Sequence, residues 1–274
     1  MIATFVPEPG PTPVADAYRE IVDAFGRDVD LDAFDPREYD PISVRAARAH
    51  WQKRMVDEYA STTVFSGLYA QLVEANASLD MGAVVLRMAQ DELRHAEICG
   101  RVALRMGGTN RVQRDTTVRP LAIHPGCSPE ERALRNVLVT SVSEMHSVAF
   151  FVASLDRMED ASIRSVTRSL LSDEILHGRF GFYYLQAWSE WLAARPEVRA
   201  SISRYLRHVF AVCERELVCE PSGRPPGADD DRLGLVSNEL GREIFLSTME
   251  EAIVPALERF GLDATRVWRT RTIS

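Results

Sequence analysis

The sequence lacks the features that mark several common protein classes. It has only four cysteines in 274 residues and no Cys-x-x-Cys pair, which is too few for a disulfide framework. Its net charge of −8 leaves no excess of basic residues for a nucleic-acid partner. It also lacks an apolar run of ~18 residues that could span a membrane, and a start typical of an export signal. We therefore expect a cytoplasmic protein with reduced thiols and no nucleic-acid or membrane partner.

One short motif occurs twice, as an Asp-Glu pair with a histidine three residues after the glutamate. The copies are Asp91-Glu92-Leu93-Arg94-His95 and Asp173-Glu174-Ile175-Leu176-His177. Residues three apart project from the same side of an α-helix, so each copy presents a carboxylate and an imidazole to one point. Single copies are common by chance on solvated helices, but both copies here lie within long apolar helical patterns. The repeat predicts two metal ions bound between helices.

Dinuclear carboxylate sites in helix bundles need one further glutamate from each of two other helices. In an antiparallel hairpin, ligands at one height are equally far from the turn, so the turn falls midway between them in sequence. This condition selects Glu144 for the second motif, with a turn at 158–162, and Glu58 for the first, with a turn at 76–80. Glu74 fails the condition, whereas Asp57 meets it almost as well as Glu58.

The predicted metal ligands are four carboxylates and two imidazoles, whose charge two divalent cations would balance: Glu58, Glu92, His95, Glu144, Glu174 and His177. Without metal, four buried carboxylates would repel one another and take up protons. Asp91 and Asp173 are either exposed acids or the groups that orient His177 and His95 respectively. Arg94 either belongs with them or points outward.

Other residues that could bind metal have weaker claims. Cys99 shares the ligand face of its helix, but a buried free cysteine commonly packs as a small apolar residue. His146 should face away from the site, because it lies two residues from Glu144. His50, His124 and His208 have no partner at metal-binding spacing.

With these motifs the chain resembles the ferritin-like diiron carboxylate proteins, which include rubrerythrins, bacterial multicomponent monooxygenases, ribonucleotide reductase small subunits and arylamine N-oxygenases. The resemblance covers residues 43–193, and the ligand spacing is most like that of the arylamine N-oxygenases. Those proteins have an extra histidine ligand where this chain has Leu170. The resemblance implies two Fe ions, with Mn as the second choice, together with O₂, a small-molecule substrate, an external electron donor and a homodimer.

The expected fold is all-α, a ferritin-like four-helix bundle with one long crossover and additional N- and C-terminal helices. Apolar periodicity predicts bundle helices over 43–75, 80–106, 130–157 and 162–193. Residues 1–42 form an N-terminal extension, with a proline-rich start and a helix over 14–25. Residues 194–274 add helices to about 217 and over 236–260 within the same domain. The connection 107–129 is long enough to make the second and third bundle helices parallel.

A substrate pocket is expected beside the ligands, toward the first hairpin turn, where the helix faces carry Thr62, Phe65, Met88, Thr140, Gly181 and Tyr184. Ordinary core packing is the alternative interpretation of these residues. Gly178 and Gly181 indicate either open space or close contact between helices, because glycine costs ~1 kcal/mol in a helix interior.

Three functional hypotheses follow. The first is a diiron oxidase or oxygenase that uses O₂ or peroxide to oxidise a small organic substrate, such as an amine in a biosynthetic pathway. The second is a ferroxidase or peroxide-reducing protein of the rubrerythrin type, without an organic substrate. The third is a non-enzymatic helical bundle in which the acidic residues are structural or hold a single inert metal ion. No flavin, nicotinamide or iron–sulfur motif is present, so the first hypothesis requires electrons from another protein or molecule.

Overall fold

The computed structural model describes residues 2–8, 14–23, 29–115, 121–218 and 225–271. After a first helix, α1 (Val14–Asp23), it contains four long helices: α2 (Pro41–Glu74), α3 (Leu79–Arg105), α4 (Pro129–Arg157) and α5 (Ala161–Ala187). The all-α prediction is confirmed, and the long helices begin within two residues of the predicted positions. The prediction of one helix over 162–193 is wrong, because Trp188 leaves the helical conformation (φ −99°, ψ 7°).

Side-chain contacts fix the directions of the long helices. Along α2 and α3, Met55 contacts Gly100 and Tyr69 contacts Gly82, so these helices are antiparallel. Along α2 and α4, the Arg54 guanidinium lies over Phe151 and Asn136 donates to Gln71, so this pair is also antiparallel. It follows that α3 and α4 run in the same direction. The length of the connection between them predicted this parallel arrangement.

Three of the four long helices begin at a side chain that accepts a hydrogen bond from a free backbone N–H. Asp40 accepts from Ser43 at 3.0 Å, Ser128 from Glu131 at 3.3 Å and Asp160 from Ile163 at 2.7 Å. Proline follows the cap in α2 and α4, where its missing N–H costs nothing. The turn between α2 and α3 places Asn76 at a positive φ of 52°.

The C-terminal part packs on the long helices. It comprises α6 (Ser189–Ala193), α7 (Pro196–Leu217), α8 (Asn238–Ser247), a π-helical segment (Thr248–Ile253), α9 (Val254–Glu258) and α10 (Ala264–Arg269). One apolar cluster joins Leu138 of α4 and Tyr184 of α5 to Leu206 of α7, Phe245 of α8 and Trp268 of α10. The helix predicted over 236–260 begins at Asn238 and ends at Glu258, with the π-helical segment in its middle.

The N-terminal part differs from expectation. Residues Ile2–Phe5 form strand β1, which pairs antiparallel with β2 (Val112–Asp115) in the connection between α3 and α4. The sequence analysis did not predict this strand, because its partner lies far away in sequence. Pro9, Pro11, Pro13, Phe25 and Cys219 lie outside the described residues.

Two apolar clusters fill the space between the four long helices, one toward each end of the helices. The first contains Phe65, Met88, Leu138 and Tyr184, and the second contains Trp51, Ile98, Phe151 and Leu170. Of the described helices, α4 alone is long and apolar enough to cross a membrane. It packs against α2, α5, α7 and α8.

Candidate metal centre

A layer of buried polar residues separates the two apolar clusters. On each long helix the polar residues lie between a member of one cluster and a member of the other, so all four helices contribute at one height. The layer contains all six residues that the sequence singles out as ligands, and each is at most 8% exposed: Glu58, Glu92, His95, Glu144, Glu174 and His177. Burying so many ionisable groups together is costly unless a countercharge is present.

The six residues form two groups that share two carboxylates. One group is Glu58, Glu92, His95 and Glu174, and the other is Glu92, Glu144, Glu174 and His177. Within each group one ligand atom per residue lies within 4.8 Å of the others. Glu92 and Glu174 therefore reach both positions, whereas the remaining four residues each reach one. Buried groups of this composition could hold metal ions.

Both imidazoles direct Nδ1 toward the centre. His95 Nδ1 lies 3.6 Å from Glu58 and 3.3 Å from Glu174, and His177 Nδ1 lies 3.1 Å from Glu92. The Nε2 atoms point the other way, to an aspartate of the opposite motif. The pairs His95–Asp173 and His177–Asp91 are each separated by 3.4 Å. Such pairs fix the orientation and tautomer of a metal-binding histidine.

Two arginines hold the aspartates. Arg87 donates from Nε to Asp91 at 2.8 Å and reaches Asp173 with Nη2 at 3.5 Å. Arg94 is 2% exposed, donates to Ser169 at 3.0 Å and forms a close ion pair with Asp173. The sequence left open whether Arg94 points inward or outward, and in the structure it points inward. Asp91 and Asp173, which the sequence left as either exposed or orienting groups, are buried.

The electrostatics of the metal-free cluster favour protonation. Burial, reinforced by the charges of Glu58 and Glu174, raises the pKa of Glu92 well above its usual value. Burial and then Glu174 raise the pKa of Glu144 to about 8. For His177, burial opposes the charged form, but the nearby carboxylates of Asp91 and Glu144 outweigh it and raise the pKa. Protons therefore supply part of the positive charge that the four carboxylates require when metal is absent.

The donor atoms of the layer fit a metal pair. Glu92 Oε2, Glu174 Oε2, His95 Nδ1 and His177 Nδ1 are all buried without a hydrogen-bond partner among the described residues. Native proteins rarely leave buried polar atoms unpaired, and these four atoms all belong to predicted ligands. Two metal ions would use these atoms and balance the four carboxylates.

Sequence reasoning missed Arg54. This residue lies one turn before Glu58 and donates from Nη1 to Glu58 Oε1 at 3.0 Å, and only 14% of its side chain is exposed. Burial opposes ionisation of Glu58, but His95 and Arg54 together lower its pKa. The spacing of four residues between Arg54 and Glu58 was a usable signal. Asp57, the reserve candidate, instead lies at the surface and pairs with Lys53 at 2.5 Å.

A cavity of about 390 Å³ reaches the centre from the side of α2 and α4, next to the C-terminal helices. Its walls include the ligands Glu58, Glu92, Glu144 and Glu174, together with Arg54, His146 and Phe150. A second cavity of about 290 Å³ adjoins it through Ser61, Ser143 and Glu144. The polar layer is thus accessible from one side of the helices.

The pocket expected from the sequence is largely filled. Phe65, Met88 and Tyr184 are at most 1% exposed and belong to the packed apolar cluster. A Cβ on Gly181 would overlap Ser141, so this glycine serves close helix contact. Thr62 donates to the backbone oxygen of Glu58 at 3.4 Å, and only Thr140 lines a described cavity. The expected pocket is filled because the apolar faces of the four helices pack against each other.

The other candidate residues lie outside the two ligand groups. Cys99 and Leu170 lie in the second apolar cluster. His146 is 7% exposed, packs near Phe150 and Phe245, and lines the larger cavity outside the two ligand groups. His124 contacts Asn136 at 3.2 Å.

Comparison of the sequence with protein-family models and with curated proteins finds no match in either case. The functional assignment consequently depends on the geometry of the site.

Proposed function

We propose that the protein is a dinuclear metal oxidase or oxygenase with a ferritin-like four-helix bundle, which uses O₂ or peroxide to oxidise a small organic substrate. The main support is that two groups of buried Glu and His residues share Glu92 and Glu174. Shared carboxylates suit a pair of ions whose charge changes during a reaction, because a carboxylate can bind through one or two oxygens.

Two Fe ions are the first choice of metal and Mn the second, since mixed carboxylate and imidazole ligands suit both. Glu58 and His95 would hold one ion, Glu144 and His177 the other, and Glu92 and Glu174 would serve both. When bound, the metal pair supplies the redox chemistry.

The chain contributes orientation, charge and access. Asp91 and Asp173 keep Nε2 of each imidazole occupied, so Nδ1 stays directed at the centre. The two apolar clusters exclude water from above and below the layer. The larger cavity leaves the side of Glu58 and Glu144 accessible to a small molecule. Electrons come from an external donor.

The cavity favours this proposal over a ferroxidase or peroxide-reducing protein without an organic substrate. A volume of about 390 Å³ lies within the range of small-molecule sites, and an aromatic ring, Phe150, forms part of its wall. Iron or peroxide alone would need only a narrow polar path. Cytoplasmic location, the absence of nucleic-acid and membrane partners, and a homodimer stay predictions.

Anaerobic loading with Fe(II), followed by mixing with O₂ and rapid absorbance measurement, tests the proposal. We expect uptake of two iron ions per chain, in line with the two groups, and a transient visible band without mineral formation. Accumulating ferric mineral would instead identify a ferroxidase. Failure to take up iron or manganese would leave a structural role for the acidic residues and contradict the proposal.

A further inference from the structure

A further cavity, of about 590 Å³, lies in the C-terminal part between α7, the turn at Gly261 and α10. It shares no wall residue with the two cavities at the metal centre. Its volume falls within the range of small-molecule sites, and Pro196, Ala200 and Val267 give its walls an apolar part. The proposed metal chemistry does not use this cavity.

The walls of this cavity carry an excess of positive charge. Among the described residues Asp263 is the one acid in the walls, and it forms an ion pair with Arg266. The walls contain three further arginines, Arg199, Arg204 and Arg207, and none of them has an ion-pair partner among the described residues. Three positive charges are therefore left uncompensated at one place in a chain whose net charge is −8.

The positions of these arginines on α7 are unfavourable for the helix itself. Arg204 and Arg207 are three residues apart and lie on one face, where like charges destabilise a helix. No acidic residue of α7 lies three or four positions from any of the three arginines. Glu197 is two residues from Arg199, so it projects from a different side of the helix, and it lies outside the walls. A stabilising role in the fold therefore does not explain these charges.

Two hydrogen bonds connect the sides of the cavity. Ser203 of α7 accepts a hydrogen bond from the backbone N–H of Asp263 at 3.2 Å and donates one to the backbone oxygen of Arg199 at 2.9 Å. Arg199 is half-buried and reaches the turn, where its Nη1 would lie 3.3 Å from a Cβ on Gly261. The walls are thus held in place without a ligand, and such preorganisation lowers the cost of binding.

We infer that this cavity binds a phosphate-rich small molecule, whose phosphates contact Arg199, Arg204 and Arg207. A guanidinium group matches phosphate oxygens with two parallel hydrogen bonds, and three uncompensated charges match an anion with two or more phosphates. A monocarboxylate would leave two of the charges uncompensated. An acidic protein would need a contact surface of about 800 Å² on this chain, whereas the three charges lie within one concave site. The inference goes beyond the proposed function and does not depend on it.

Calorimetric titration of the full-length, iron-loaded protein with inorganic pyrophosphate tests the inference. We expect binding whose affinity falls as the salt concentration rises. The double variant Arg204→Gln/Arg207→Gln should weaken binding by about tenfold or more, and Arg204→Gln alone by a smaller factor. Arg215→Gln is the matched control, because Arg215 is exposed on the same helix and lines none of the three cavities. It should leave the affinity unchanged.

Thermal unfolding separates a binding role of these arginines from a structural one. The double variant should keep or raise the Tm of the protein, because it removes a pair of like charges. Pyrophosphate should raise the Tm of the original protein more than that of the double variant. A lower Tm of the double variant together with unchanged pyrophosphate affinity would show a structural role and overturn the inference.

Iron analysis and the reaction with O₂ keep this test apart from the proposed function, because both should be the same in the double variant and in the original protein. Absence of pyrophosphate binding overturns the inference. Equal affinity in the double variant also overturns it, since pyrophosphate would then bind at the metal centre. Tighter binding of hexaglutamate than of pyrophosphate would identify an acidic peptide as the ligand and contradict the assignment of a phosphate-rich small molecule.

Discussion

At the scale of single residues, Glu92 and Glu174 differ from Glu58 and Glu144 in the number of ion positions they reach. Each of the first two belongs to both ligand groups, and each of the others belongs to one. Each shared carboxylate also has one oxygen, Glu92 Oε2 or Glu174 Oε2, that is buried without a hydrogen-bond donor and is available to a metal ion. Removing a shared carboxylate should therefore affect both ions.

Glu92→Ala and Glu174→Ala are expected to lose most of the bound metal while remaining helical. Glu58→Ala and Glu144→Ala should retain roughly one ion per chain, because each leaves one ligand group complete. Metal analysis of the purified variants, with circular dichroism as the test of folding, measures both effects.

The controls are Glu74→Ala, which removes a half-exposed carboxylate of α2, and His146→Ala, which removes an imidazole that lies outside both groups. Neither should change the metal content. Full occupancy in the Glu92 and Glu174 variants would contradict the assignment of ligands.

Sequence reasoning found the polar layer because helical spacing and hairpin symmetry constrain it. The repeat placed a carboxylate and an imidazole on one side of each of two helices, and the turn positions then selected Glu58 and Glu144. These six side chains meet in the structure. Arg54 and the burial of Arg94 were not found, because the direction of a long cationic side chain depends on which neighbours cover it.

At the scale of elements, close contact between α4 and α5 depends on glycine. A Cβ at position 181 would overlap Ser141, and one at position 178 would lie 3.2 Å from Met145 Sδ and Val148 Cγ2. Glycine is unfavourable within a helix, so its presence at these positions is explained by the approach of the two helices. The sequence left this explanation and an open pocket as equal alternatives.

Gly181→Ala is expected to lower the free energy of unfolding by ~1–3 kcal/mol, because the steric overlap outweighs the gain in helix propensity. Ser141→Gly in the same chain should restore part of the loss by removing the overlapping atoms. Denaturant unfolding of the metal-free protein measures both changes.

Gly241→Ala is the matched control, since the nearest atom to its added Cβ would be Val236 Cγ1 at 4.0 Å. It lies within α8 and should be neutral or stabilising by up to ~1 kcal/mol. Equal effects of the two alanine substitutions would show that helix contact at Gly181 is not the cause.

The limits of the four long helices were predictable because proline, capping residues and apolar periodicity mark them locally. Two features were not. The interruption at Trp188, whose ring stacks on Tyr184 at 5.7 Å and meets Trp191 at 5.4 Å, has no local mark such as proline or glycine in the sequence. The pairing of β1 with β2 joins segments more than a hundred residues apart, and neither strand has a distinctive pattern.

At the scale of the whole molecule, the fold consists of two apolar clusters with a charged layer between them. The sequence predicted the helices and the layer, but it placed the pocket inside the first cluster. The observed cavity depends on how α7 and α8 cover α2 and α4, which is a long-range packing outcome that periodicity does not encode. Without metal the layer is costly to bury, because protons supply only part of the positive charge that its carboxylates require.

Metal binding should therefore stabilise the whole chain, and more strongly at higher pH. In the metal-free protein the raised pKa of Glu144, about 8, means that its protonated form stabilises the fold fully below the unfolded pKa near 4.5. This stabilisation is lost as the pH rises through about 8. Metal binding requires the deprotonated carboxylate and a neutral His177, so protons compete with metal at lower pH.

A metal concentration 100-fold above the Kd adds ~2.7 kcal/mol to the free energy of unfolding. Calorimetric melting should show that Mn(II) raises the Tm, relative to the chelator-treated protein, more at pH 8 than at pH 6. Glu174→Ala should abolish this increase in Tm. Identical melting with Mn(II) and with the chelator at pH 8 would mean that the buried layer needs no metal.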